Sequence, residues 1–138
     1  MTDARLMPPA PVIDPDSVGY WESLTRGSLG ICRCTACRAW MHPPLEVCRH
    51  CGASTVVESV SGRGSVFSFI VVRRAMVPGF PTPYVIAIVE LDEQEGLRLS
   101  GILKADPADV VIGLPVQVSI GKIGQSGILG PSFVPVAK

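Results

Sequence analysis

Five cysteines fall within twenty residues of this chain, in the run CRCTACRAWMHPPLEVCRHC from Cys32 to Cys51. Four of them make two identical pairs, Cys34-x-x-Cys37 and Cys48-x-x-Cys51, with ten residues between. A C-x-x-C turn lets two thiolates converge on one ion while nearby backbone N–H groups point at the sulfurs. Two such turns facing each other complete a tetrahedral S4 site, which suits zinc. Paired cysteines also build disulfide frameworks, but the odd count, the lack of an export signal and the doubled spacing oppose that use here. The expected chemistry is metal binding by Cys34, Cys37, Cys48 and Cys51, with structural Zn2+ as the cofactor. Rubredoxin-type sites hold iron on the same spacing, and colour separates the two.

Other residues of the segment compete weakly for the ion. Cys32 would break the symmetric spacing and is expected to be a buried or spare thiol. His42 and His50 are able to replace a sulfur, although four well-spaced cysteines leave no need for them. Four thiolates around a divalent ion carry a net charge of −2, and Arg33, Arg38 and Arg49 lie close enough in sequence to balance it. A site with four protein ligands is closed to water and substrate. It therefore serves as a staple for a segment too short to build its own core.

The flanking elements must hold this clasp and give it something to hold. Before it, Asp14-Pro15 reads as a helix start, with Asp14 as N-cap, and Gly27 as its stop. Val18, Tyr20, Trp21 and Leu24 form one apolar stripe between them. That stripe either packs on its own domain or docks on a partner, with Tyr20, Trp21 and Leu24 as candidate contacts. The proline-rich residues 1–13 read as a flexible arm. After the clasp, VVESVSG, GSVFSFIVVRR, PYVIAIVEL, LRLSGILKA and LPVQVSIGK alternate with Gly, Pro or acidic turns and read as five strands. DPADVVIG supplies one helical turn, and ILGPSFVPV a further edge strand. The expected fold is mainly β: an N-terminal arm and docking helix (1–30), a zinc ribbon (31–56), and a five- to six-stranded barrel of the OB type (57–138). Residues 84–89 are apolar on both faces, so one face fills the barrel and the other needs cover. The stiff loop AMVPGFPTP offers Met76 and Phe80 as interface candidates. Glu90, Asp92, Glu93 and Glu95 span a hairpin turn.

Composition narrows the function. Charged residues make up 17% of the chain, against a typical ~25%. The formal net charge is zero, which argues against duplex nucleic acid or an anionic membrane as partner. A charge-poor surface on a small domain suggests cover by another protein. No signal peptide or membrane span is read, so a reducing cytoplasmic setting is expected. His42 and His50, the only histidines, lie in the ribbon, and no nucleotide-binding or nucleophile motif appears, so nothing supports a self-sufficient enzyme.

The run GYWESLTRGSLGICRCTACRAWMHPPLEVCRHC resembles the N-terminal half of domain-of-unknown-function family thirty-five (DUF35), where an aromatic helix leads into a rubredoxin-like zinc ribbon. VSGRGSVFSFIVVRRAMVPGFPTPYVIAIVELDE resembles the start of that family's OB domain. The likeness spans roughly residues 17 to 120. One departure is Arg38, where the first knuckle usually has Gly, as the second does at Gly52. Cys32 is also atypical. The resemblance implies a non-catalytic accessory subunit that binds and stabilises a thiolase-superfamily enzyme: a thiolase, an acyltransferase or an acyl-CoA retro-aldolase. It implies a hot-dog-fold hydratase as a further partner, and an acyl-CoA channel at the shared interface. Arg63, Arg73, Arg74, Arg98 and Lys104 would form a basic strip, with coenzyme A phosphates as clients of Arg73 and Arg74. The competing function is a single-stranded nucleic-acid-binding ribbon/OB module. That mode needs a basic groove with stacking aromatics, and aromatics are only 6% here.

Overall fold

A computed structural model describes residues 9–77, 79–123 and 127–136. Helix α1 spans Val18–Thr25, one turn later than Asp14-Pro15 suggests. The carboxylate of Asp14 accepts the Ser17 N–H at 2.8 Å and its carbonyl accepts the same N–H at 3.1 Å. This closes a turn over Pro15 and Asp16 and leaves Ser17 as the N-cap. The helix stops where expected, at Gly27 with φ 79°. There the Gly27 N–H reaches the Leu24 carbonyl at 3.0 Å and the Ser28 N–H reaches that of Ser23 at 3.1 Å, a Schellman closure.

Strand β1 (Leu29–Cys34) is the centre of a three-stranded antiparallel sheet, flanked by β2 (Trp40–Met41) and β3 (Thr55–Val60). α1 packs on β1. The join is close: a Cβ at Gly30 would sit 2.6 Å from both the Ser23 and Val57 side chains. In its place the Gly30 N–H donates to the buried Ser23 hydroxyl at 2.8 Å, and that hydroxyl donates to the Tyr20 carbonyl.

One strand changes its allegiance. VVESV, expected in the barrel, is β3 and pairs with β1 from Leu29↔Val60 to Cys34↔Thr55. The expected boundary at residues 56 and 57 therefore falls inside a strand, and the barrel begins at Arg63. The barrel consists of β4 (Arg63–Val72), β5 (Tyr84–Leu91), β6 (Arg98–Leu103), β7 (Pro115–Lys122) and β8 (Leu129–Pro135), closed in the order β4-β5-β6-β8-β7. A single 3-10 turn, Pro107–Asp109, separates β6 from β7. ILGPSFVPV is β8, which joins β6 to β7 instead of hanging on an edge. Its contact with β6 is one parallel rung, Leu103↔Phe133, whereas seven antiparallel rungs join it to β7. Little ladder is lost to Pro131 and Pro135 on so sparsely bonded a side.

A bulge between Val66 and Ser68 shifts the phase of β4. Gly64 and Val66 point inward before it, while Phe69 and Val71 pack on the core after it. Phe133, fully buried, fills the barrel among Val85, Val89, Leu103 and Val116. The same apolar cluster continues through Leu91 and Leu97 into Trp40, Ile31, Leu29, Leu24 and Tyr20. Ribbon sheet, helix and barrel thus share one core. No helix among the described residues is long and apolar enough to cross a membrane.

Candidate metal centre

Cys34 ends β1, Cys37 lies in the turn that follows, and Cys48 and Cys51 occupy a second turn beside the Val47↔Ser54 bridge. The two turns are copies of each other. In the first, the Cys34 N–H donates to the Ala39 carbonyl at 2.9 Å; in the second, the Cys48 N–H donates to that of Ala53 at 2.8 Å. Each also has a left-handed residue straight after its second cysteine, Arg38 at φ 64° and Gly52 at φ 78°. Arginine therefore takes the glycine conformation at a cost of about 1–2 kcal/mol. Partial compensation comes from its neighbours. Both carboxylate oxygens of Glu58 accept from Arg38, at 2.9 and 3.0 Å, while Arg33 donates to Glu58 at 3.0 Å and to the Arg38 carbonyl at 2.8 Å. The two guanidinium groups hold the Glu58 carboxyl below its usual range. Arg33 also lies over the Trp40 ring, 4.3 Å from its centroid.

All four sulfurs lie within 4.8 Å of one another. Cys34 and Cys51 are 3.4 Å apart and Cys37 and Cys48 3.7 Å apart. Disulfide sulfurs would be at ~2.05 Å, whereas ligands at ~2.3 Å from a tetrahedral zinc stand roughly 3.8 Å apart. The spacing fits an ion between the sulfurs. Backbone amides are aimed as thiolates require: Ala36 and Cys37 donate to the Cys34 sulfur and His50 to that of Cys48, each at 3.3 Å. Burial pushes the Cys34 thiol up, but the Cys37 and Ala36 N–H groups outweigh it and bring it down to about 6. The Cys51 N–H, acting first, lowers Cys48 as well. Cys34 and Cys48 are buried and Cys37 and Cys51 exposed. One ligand of each turn thus faces the core and one the surface. A fully ligated S4 ion offers no position to substrate, so the centre can hold the ribbon and do no chemistry on a ligand.

The competing ligands stay out. Cys32 is buried and donates to the Leu45 carbonyl at 3.4 Å. The His42 ring packs against Tyr20 with centroids 5.6 Å apart, and burial lowers its pKa. His50 contributes its backbone N–H alone to the sulfur cluster.

The residues singled out for partner binding divide. Leu24 is 0% and Tyr20 7% exposed: both fill the chain's own core, because α1 lays its stripe on β1, and this corrects their expected place at an interface. Trp21 is half-buried, edge-on to Tyr20 at 5.1 Å. Met76 is 80% exposed, and Phe80 is half-buried against Tyr84 with centroids 5.5 Å apart. Arg73 and Arg74 stand exposed in the same β4–β5 loop. Sequence reasoning gave residues 84–89 a second apolar face but missed the row that it joins, Ile70, Ile86 and Ile102, which face one another across β4, β5 and β6. Ile70 in that row is 60% exposed. It also missed Gln94. Its side-chain amide accepts the Trp40 N–H at 2.9 Å and donates to the Trp40 carbonyl at 3.0 Å, tying the β5–β6 turn to β2. Isolated glutamines in turns carry no signal for such a role.

A symmetric four-cysteine ribbon fused to a closed five-stranded barrel defines the zinc-ribbon/OB class of proteins. Residues 21–57 match the family model described as the ChsH2 rubredoxin-like zinc ribbon domain, and residues 57–121 that of the ChsH2 C-terminal OB-fold domain. A DUF35 domain-containing scaffold protein of Methanocaldococcus jannaschii is 36% identical over 113 residues, which cover 75% of this chain and 79% of that protein. The chain belongs to the DUF35 family.

The 3-oxo-4,17-pregnadiene-20-carboxyl-CoA hydratase alpha subunit of Mycobacterium tuberculosis is 41% identical over 75% of this chain. A probable enoyl-CoA hydratase alpha subunit of Thermomonospora curvata is 38% identical over 81% of it. The chain spans about a third of the length of these two, 33% and 35%. Among solved structures, a chain of the Ltp2-ChsH2(DUF35) aldolase superposes with TM-score 0.84 at 35% identity, covering 93% of this chain and 100% of that one.

Proposed function

We propose that this chain is a non-catalytic accessory subunit that binds and stabilises a thiolase-superfamily enzyme acting on acyl-CoA. The observation that carries this reading is the likeness, over the whole of the matched chain, to a chain of the Ltp2-ChsH2(DUF35) aldolase. The hydratase subunits among its relatives add a hydratase as a further partner class. Its own centre is closed by four sulfurs, which fits a protein that supports chemistry done elsewhere. Zinc is the ion this reading assigns, and the reducing cytoplasm the setting in which its thiolates persist. Trp21, Met76 and Phe80 are the contacts it assigns to the partner, and Arg73 and Arg74 those to coenzyme A phosphates.

Affinity purification of the tagged chain from its native host, with mass spectrometry of what copurifies, tests the proposal. A stoichiometric thiolase-like, aldolase-like or hydratase-like subunit is the expected result. Recovery of nucleic acid, or of the chain alone at every salt concentration, would overturn it.

A further inference from the structure

A cavity of about 590 Å³ opens on the barrel, away from the metal centre. Phe80 of the β4–β5 loop, Ile102 of β6, Ile123 after β7 and Pro131 of β8 form its walls, with Pro9 and Pro11 of the N-terminal arm. Its volume lies within the ~300–1,000 Å³ range of small-molecule sites. Its walls come from the third, fourth and fifth strands of the barrel, and from the loops that follow the first and fourth through Phe80 and Ile123. Gly121 leaves room, since a Cβ there would meet nothing within 4 Å, whereas the Ile123 side chain packs over Gly130, its partner on the same β7–β8 rung.

The charge is one-sided. Lys104 and Lys122 are the charged residues of the lining, which contains no acidic residue. Neither lysine forms an ion pair among the described residues. Lysine stems extend apolar walls while their ammonium groups stay wet, so the two supply a cationic rim to an apolar interior. A single-stranded nucleic acid, the common ligand of OB barrels, needs a succession of stacking rings, and Phe80 is the one aromatic residue in this lining.

We infer that this cavity is a binding site for an amphipathic anion, an apolar chain carrying a carboxylate or phosphate group that meets Lys104 and Lys122. The site belongs to this chain alone and stands whether or not the accessory reading holds. It is tested on the full chain, without a partner, by following the backbone amides of Ile102, Lys104 and Lys122 by NMR during titration with decanoate, decyl phosphate or decanol.

The expected result is saturable binding of at least one anion, roughly tenfold or more tighter than decanol, as loss of charge-assisted contacts implies. Preference between decanoate and decyl phosphate identifies the head group. The K104Q/K122Q double variant should weaken anion binding by about the same factor and leave decanol unchanged. Ile102→Glu, with its fold checked by circular dichroism, should abolish anion binding. Failure of both anions to saturate, decanol binding as tight as theirs, or indifference to the lysine changes would overturn the inference. So would an oligothymidylate that moves the same amides at lower concentration.

Discussion

The ribbon and the barrel solve the same problem in different ways. Around the clasp, the residues that cluster with the ligands Cys34 and Cys48 are few, chiefly Cys32 and Met41. The barrel packs Phe133, Val66, Val85, Val89 and Val116 at 0–1% exposure. One half depends on bonds to an ion and the other on apolar area removed from water. Yet Tyr20, Leu24, Ile31 and Trp40 of the ribbon half lie in the barrel's own cluster, so the two halves are not energetically separate. The lesson is that a staple can be local in chemistry and still set the stability of what it is packed against.

The sharpest break in that comparison is loss of the ion. A structural S4 zinc contributes about 10–16 kcal/mol to folding in zinc-finger peptides. Cys34→Ser or Cys48→Ser should therefore give insoluble or unfolded protein, and chelation should remove hydrogen-exchange protection from β1–β3. Because the core is shared, chelation should also lower the barrel's melting temperature; an unmoved barrel would mean two independent units. Phe133→Ala strikes from the other side and should cost about 3–5 kcal/mol in denaturant unfolding. Its metal content, read by atomic absorption, should stay at one ion per chain.

Gln94→Ala probes the joint itself. It removes two hydrogen bonds to Trp40 and should cost about 1–2 kcal/mol, with faster exchange at the Trp40 amide as its local signature. The smallest effect is expected at Arg38. Glycine there relieves about 1–2 kcal/mol of left-handed strain but loses the half-exposed contacts to Glu58 and loosens the unfolded chain, so Arg38→Gly should change stability by less than about 1 kcal/mol. Acid sharpens the same point. Glu58's folded pKa is depressed below 4.5, so the stability it adds is present above 4.5 and fades as the pH falls through the folded value. A variant lacking Glu58 should lack that part of the acid dependence.

The clasp was legible because metal ligation leaves its spacing in the chain: two C-x-x-C turns place four sulfurs within bonding reach with no help from distant residues. The DUF35 resemblance, carried by ordered motifs, stands with the family matches. Strand identity was legible as well, but strand partnership was not. Nothing in VVESV distinguishes a ribbon strand from a barrel strand, since its pairing with β1 joins residues 21 to 31 positions apart. ILGPSFVPV reads as a final edge strand, and only the closed barrel shows that a strand bonded mainly on one side can sit between two others. The apolar stripe of α1 was seen, but whether it faced its own sheet or a partner depended on Gly30, whose missing side chain lets the helix settle there.

The hydrogen bonds between Gln94 and Trp40 have a consequence for how such chains can diverge. The glutamine amide meets only the main chain of residue 40, as a neighbouring strand would. This pair of hydrogen bonds is therefore blind to the side chain at position 40, whose ring serves the shared core instead, but strict at position 94, where a glutamate would set a carboxylate against a carbonyl and offer no N–H. One turn residue of the barrel thus holds the ribbon by its main chain, and a change at position 94 reaches the joint without touching the core.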